Sequence, residues 1–225
     1  MTVDNERAGE IVLSRLINTI HKNAAFLSEV DGKIGDGDHG VNMNKGFMLC
    51  ADKLHGKTYS LSEGLGILGS TLLEDIGGSM GPIYGMFFEE MADACGGLAE
   101  ISARDFERML RSALHGIQDI GNAKPGDKTL LDTLIPGVQA YSEALDEGKN
   151  FYVALDAMRD AARDGWQKTE NMVAKVGRAS RLGERSRGIL DAGATSCYLL
   201  LEAMADAIQN MLQTFLREEV EQKGT

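Results

Sequence analysis

Proline is nearly missing from this chain: three residues in 225, too few for a proline-rich linker or a loop-dominated scaffold. Cysteine is as scarce. Cys50, Cys95 and Cys197 are odd in number, far apart and form no CxxC pair, which argues against a disulfide framework or a zinc site and suits a reducing compartment. Positive charge is short as well, with 23 basic against 34 acidic residues and a formal net charge of −11. An acidic surface of that kind excludes nonspecific nucleic-acid or anionic-membrane binding, which needs a basic face. No apolar run approaches the ~20 residues that span a bilayer. The opening MTVDNERAGE is charged and lacks the apolar stretch of a signal peptide, so a cytoplasmic location is expected.

What the chain does have is helical periodicity. Hydrophobic residues make up 43% of it, enough for a substantial core. Val12, Leu16, Ile20, Ala24 and Leu27 recur at helical spacing, as do Phe106, Leu110, Leu114 and Ile117. The same holds for Leu130, Leu131, Leu134, Val138, Tyr141 and Leu145, and for Phe151, Leu155, Met158, Ala162, Trp166 and Thr169. A last stripe runs through Cys197, Leu200, Leu201, Met204, Ile208, Met211, Leu212 and Phe215, with Glu202, Asp206, Gln209 and Gln213 off it. Shorter periodic stretches lie near 40–54, 61–76 and 80–95. The expectation is an all-α chain of eight antiparallel helices without a convincing strand, closed as a bundle or barrel and forming one domain over residues 1–225.

Two segments interrupt the pattern. The first, Asp31-Gly-Lys-Ile-Gly-Asp36-Gly-Asp38-His39-Gly40-Val41-Asn42-Met-Asn44, places three carboxylates within eight residues of a glycine-rich stretch. Read singly, Asp38 is a helix cap and Asp31 and Asp36 are solvated turn residues. Together they repel unless a cation lies between them, and hard oxygen ligands on a flexible loop suit Mg²⁺. GDGDHG matches a dinucleotide-binding fingerprint in letters only, since it follows a helix and its aspartates would repel a pyrophosphate. An EF-hand starting at Asp36 would need a glutamate at Phe47. Gly121-Asn-Ala-Lys-Pro-Gly126-Asp127-Lys128-Thr129 has one residue too many for a Walker loop and no strand before it.

The second interruption runs from Lys175 to Gly193. It gathers Lys175, Arg178, Arg181, Arg185 and Arg187 in an otherwise acidic chain, and arginines of this kind match phosphate oxygens. Between the two, Gly77-Gly78-Ser79-Met80-Gly81-Pro82 marks a helix start able to hold an anion.

IGDGDHGVNMNKGF, GGSMGPIYGMFF, KPGDKTLLDTLIP and GRASRLGERSRGILDAGATS together resemble, in order and over nearly the whole chain, the signature segments of the nucleotide-binding L subunit of dihydroxyacetone kinase. The resemblance implies a barrel of eight antiparallel helices with ADP or ATP at one end, its phosphates held through two Mg²⁺ ions on Asp31, Asp36 and Asp38. It places nucleotide contacts at His39, Gly40, Val41, Asn42, Met80, Gly81, Gly121, Leu130, Arg178, Asp191, Ala192 and Gly193, with Arg178 also stabilising charge during transfer. It implies phosphoryl transfer to a small ketose held on a separate sugar-binding K subunit, and a phosphocarrier protein as partner if the nucleotide is refilled in place; a homodimer stays open. Met80 stands where the family commonly has a small hydroxyl residue, Ala192 where it has proline, and Ile189-Leu190 where it often has polar residues. These departures imply a reshaped closing loop, as in a paralogue acting on another sugar such as a tetrulose. The rival readings are a nucleotide-loaded module that docks onto a regulator without catalysis, and a bare metal-binding bundle.

Overall fold

The computed structural model describes the backbone of residues 1–223 and side chains through Thr214. Eight long helices follow one another: α1 (Asn5–Gly32), α2 (His39–Leu54), α3 (Leu61–Asp75), α4 (Met80–Cys95), α5 (Ala103–Ile120), α6 (Leu131–Asp146), α7 (Phe151–Lys168) and α8 (Ala192–Lys223). Each packs on its neighbours in sequence and α8 closes back on α1, so the helices form a ring that alternates up and down. The predicted stripes face its interior: Leu16, Ile20, Phe47, Phe88, Phe106, Leu134, Tyr141, Phe151 and Leu201 are all buried there. Edge-to-face aromatic pairs such as Phe47–Phe88 and Phe106–Tyr141 knit adjacent arcs of the ring together. The side chain of Phe215, read as the end of the last stripe, lies outside the described residues.

Two details depart from the sequence reading. Thr2–Asp4 (β1) and Glu100–Ser102 (β2) form a short antiparallel ribbon, with Val3 opposite Ile101. Three residues are too few to produce a recognisable alternation, so periodicity could not find it. Gln209, placed off the apolar stripe, is buried, and its amide donates to the Tyr152 carbonyl (3.0 Å) and to Asp156 Oδ1 (2.8 Å).

The ring has two unlike ends. Odd-numbered helices begin at the ribbon end, and every one carries a side-chain cap: Asp4 accepts from Arg7 N–H (2.7 Å), Asn150 from Val153 N–H (3.0 Å), and Ser60 and Ser102 form reciprocal capping boxes with Glu63 and Asp105. Even-numbered helices begin at the other end. There the cap-position side chains of α2 and α4, Asp38 and Ser79, and Leu130 before α6 make no capping bond, and the side-chain acceptors for their first N–H groups are Asp31 Oδ2 at His39 (3.4 Å) and Thr129 Oγ1 at Leu131 (3.2 Å). Only α8 is capped, by Asp191 Oδ1 accepting from Ala194 N–H (2.7 Å). Helix starts left without side-chain caps present N–H groups and the positive end of the peptide dipoles to whatever occupies that end.

Asn5 fastens the ribbon end. It is buried, its Nδ2 donates to the Leu98 carbonyl (2.6 Å), and its Oδ1 accepts from Leu61 N–H (3.0 Å). Asn5→Ala strands both backbone groups, and the expected loss of unfolding free energy is about 2–4 kcal/mol, read from the urea midpoint at constant slope. An unchanged midpoint would show that neither bond contributes.

Candidate functional site

At the end where the even helices start, the ring encloses a cavity of about 400 Å³. Its lining comes from the ends of α1 and α5, the starts of α2, α4, α6 and α8, and the long segment between α7 and α8. One arc is acidic and the opposite arc is apolar, with Ile117, Ala123, Leu130 and Leu131.

The acidic arc is held by local geometry. Helix α1 runs further than the sequence suggested, so Asp31 sits in its last turn, where exposed carbonyls already disfavour negative charge and no basic residue compensates. The chain then doubles back. Gly35 N–H donates to the Asp31 carbonyl (2.6 Å), and a side chain at Gly35 would put its Cβ 2.3 Å from Asp31 Oδ1, so only glycine leaves the carboxylate in place. Gly40 serves the same end one helix on. A Cβ there would lie 1.9 Å from the Ala24 carbonyl oxygen, so glycine lets the start of α2 lie directly against α1. Asp38 occupies the cap position of α2 yet makes no capping bond, which leaves its oxygens free to turn toward the other carboxylates. One oxygen each from Asp31, Asp36 and Asp38 lies within 4.8 Å of the others.

A divalent cation fits this arrangement. The donors are all hard carboxylate oxygens, they converge, and Asp36 and Asp38 are exposed enough to leave room for water or ligand oxygens. The positive charge the structure itself brings there is Arg178: its guanidinium forms an ion pair with Asp36 across the cavity mouth. Of the five loop cations, Arg178 reaches the aspartates. Lys175 pairs with Asp127 (3.4 Å) and Arg187 with Glu184 (3.0 Å), while Arg181 and Arg185 stand exposed.

Of the other residues singled out in the sequence, His39, Asn42, Met80, Gly121, Leu130, Asp191, Ala192 and Gly193 line the cavity. Gly40 and Gly81 do not; both are buried against neighbouring backbone, at Ala24 and Ile76 respectively. Val41 points outward and is 64% exposed, so any contribution from it comes through its main chain in the first turn of α2. Asn44 is turned away and shares a hydrogen bond with His21 Nδ1 (3.0 Å).

Sequence reasoning missed a set of hydroxyls beneath His39. The Ser196 hydroxyl is 2.9 Å from His39 Nε2 and 2.6 Å from the Tyr84 hydroxyl, so α2, α4 and α8 meet in one chain of hydrogen bonds. Loss of hydration lowers the His39 pKa to about 4 against the opposing pull of Asp31, which leaves the ring neutral at physiological pH. No spacing signal marks Tyr84 or Ser196, because they are ordinary helix-interior residues until the ring closes. Nearby, the single tryptophan donates from Trp166 Nε1 to Thr195 Oγ1 (2.8 Å), and that hydroxyl donates to the Asp191 carbonyl (2.6 Å). Lys128 and Thr129 also line the cavity, from the segment that had looked like an overlong Walker loop.

Comparison with known proteins agrees with this picture. A family model described as the DAK2 domain matches residues 33–206. The ADP-binding subunit DhaL of the PEP-dependent dihydroxyacetone kinase of Escherichia coli (strain K12) is 35% identical over 197 residues, covering 86% of this chain and 92% of that protein. The L-erythrulose kinase of Pectobacterium atrosepticum is 31% identical over 192 residues, covering 84% of this chain and 32% of that protein. The crystal structure of the dihydroxyacetone kinase of C. freundii in its native form matches with a TM-score of 0.68 at 25% identity, covering 91% of this chain and 35% of that one. This chain thus spans about a third of each of these two longer proteins. With the family model over most of its length and a relative matched nearly end to end, the chain belongs to the DAK2 domain family, that of the L subunits of dihydroxyacetone kinase.

Proposed function

We propose that this chain is the nucleotide-binding, phosphoryl-transferring subunit of a dihydroxyacetone-type kinase, working in the cytoplasm with a sugar-binding K subunit. One observation carries the reading: converged carboxylates and uncapped helix starts face the same cavity. An anion drawn to the helix starts would be repelled by Asp31, Asp36 and Asp38, and a lone cation would gain nothing from the helix starts. A magnesium-bound polyphosphate satisfies both.

In this reading Asp31, Asp36 and Asp38 would hold two Mg²⁺ ions, which would supply charge neutralisation for the transferring phosphoryl group. The main-chain N–H groups of Val41 and Met80 hold phosphate oxygens, Gly40 and Gly81 let those two helix starts seat closely against α1 and Ile76, and the neutral ring of His39 orients a further oxygen. Ile117, Leu130 and Gly121 form the apolar slot for the base, which water would otherwise fill. The start of α8 at Asp191, Ala192 and Gly193 closes the pocket beside the phosphates. Arg178, paired with Asp36 in this structure, would be the cation available to the oxygen that gains charge during transfer, as arginine is at phosphoryl-transfer sites. The hydroxyl that does lie beside a base, Ser196 against His39 Nε2, is fully buried beneath the cavity wall, consistent with direct transfer to a hydroxyl that the partner subunit presents. The description of the E. coli relative as an ADP-binding, PEP-dependent subunit supports ADP as a resident cofactor, rephosphorylated in place by a phosphocarrier protein. The choice between dihydroxyacetone and a tetrulose then rests with the K subunit, since the residues above face nucleotide and metal.

Purified in Mg²⁺ and denatured, the protein is expected to release adenine nucleotide, and prior EDTA treatment should strip it. Asp36→Asn should weaken Mg²⁺–ADP binding at least about 100-fold by calorimetry and abolish sugar phosphate formation with a K subunit. Wild-type affinity in that variant would end the reading.

Burial also gives the apo site a pH dependence. Loss of hydration pushes the Asp191 carboxyl up to about 6, opposed by its bond from Ala194 N–H and by Lys128. Between about pH 4 and this value the folded state therefore holds a proton that the unfolded chain has released, so this group's contribution to stability falls as pH rises. In EDTA, Asp191→Asn keeps a capping side chain and should flatten that slope and raise the urea midpoint at pH 7. A slope equal to that of the wild type would refute the assignment.

A further inference from the structure

Lys128 is 2% exposed and sits at φ +64°, in the left-handed region; among the described residues it is the single non-glycine residue with positive φ. Asp132 accounts for the bend. Its Oδ1 accepts from Gly126 N–H (2.5 Å) and its Oδ2 from Thr129 N–H (2.8 Å), so one carboxylate clamps both sides of residues 127 and 128. The clamp turns the lysine inward, where its ammonium meets three carbonyl oxygens and, among the described residues, no carboxylate within ion-pairing distance. Nζ donates to Ser186 O (2.5 Å), Ile189 O (2.6 Å) and Met172 O (3.2 Å), which uses all three of its protons.

Those carbonyls bracket one segment. Met172 stands just before it, Ser186 and Ile189 at its end, and Arg178 lies between. Three further bonds draw the same neck shut: Gly188 N–H to the Glu170 carbonyl (2.7 Å), Ala174 N–H to Ser186 Oγ (2.9 Å) and Lys175 N–H to the Asp127 carbonyl (3.1 Å). Residues 173–188 therefore form a compact loop whose two ends converge on one ammonium. Within it a 3₁₀-helical run over Arg178–Ser186, entered at Gly177 and kinked at Gly183, both at positive φ, carries Arg178 as its first residue, so where Arg178 stands depends on how the neck seats that run.

We propose that Lys128 is a positioning residue for phosphoryl transfer: by holding the carbonyls of Met172, Ser186 and Ile189 it closes the neck of the 173–188 loop and sets Arg178 over the aspartates. The role given to Arg178 rests on the function proposed above; the closure of the neck does not. Lysine suits the task because three tetrahedral N–H donors on one atom can serve three converging carbonyls. The planar guanidinium of arginine spreads its donors over a fork, and methionine fills the volume but leaves three buried carbonyls unpaired.

The test uses the full chain with Lys128→Met, Lys128→Arg, Arg178→Ala and the Lys128→Met/Arg178→Ala pair. The first measurement is amide hydrogen exchange in nucleotide-free protein. Lys128→Met should speed exchange about tenfold or more across residues 174–188 and leave α3 to α5 unchanged, with Lys128→Arg in between. If Lys128→Met does not fold, Lys128→Arg alone decides, by its faster exchange in that segment. Unchanged exchange overturns the proposal whether or not the protein transfers phosphate.

The second measurement is transfer with a K subunit. Lys128→Met should lower kcat nearly as far as Arg178→Ala, and in the double variant the loss should stay within about threefold of Arg178→Ala alone. Losses that multiply would mean that Lys128 touches the phosphates itself or merely supports the fold, and would overturn the action through Arg178. Absence of transfer in the wild type with every K subunit tried would instead sink the kinase reading, with the exchange result still deciding the neck.

Discussion

Mutual repulsion among Asp31, Asp36 and Asp38 is the constraint around which this molecule is arranged. Their oxygens are brought within 4.8 Å at the end of a helix whose carbonyls already carry negative potential. Gly35 and Gly40 exist where they do so that this crowding is sterically allowed. Nothing in the packing of an eight-helix ring requires it. The fold bears the electrostatic cost at one end and compensates with good capping and close packing at the other, a division natural proteins show where a site must be kept ready for a ligand.

The capping pattern expresses the same division. All four odd helices begin with a cap-position side chain bonded back to the first turn, and the cap-position residues of α2, α4 and α6 make no such bond. An up-and-down ring sorts helix starts onto its two ends automatically, so leaving caps off alternate helices gathers several positive dipole ends around a single cavity. The topology thus collects positive dipole ends at one cavity without a glycine-rich phosphate loop.

Much of this was legible in the sequence, for reasons that can be named. Long amphipathic stripes survive as helices because local and tertiary preferences agree, and the aspartate loop stood out because three like charges among glycines make no sense as packing. Gln209 was misplaced because a buried polar side chain whose two acceptors lie on another helix looks like a surface residue until its partners are known. The five loop cations looked like one patch, and the structure separates them by partner: Asp127 takes Lys175, Glu184 takes Arg187, and Arg178 reaches Asp36. Tyr84 and Ser196 carried no signal at all, since their importance lies in contacts across more than 100 positions of chain. Lys128 was seen inside a motif, yet its partners are carbonyls, and carbonyls are the same in every sequence.

The indole of Trp166 lies two hydrogen bonds from the main chain of Asp191, by way of the Thr195 hydroxyl, and stacks on Tyr198 at 4.8 Å between ring centres. Because the chain contains a single tryptophan, that geometry makes its ultraviolet emission a built-in gauge of the first turn of α8. A change at that turn becomes visible in untreated protein, with no dye attached and no second indole to subtract.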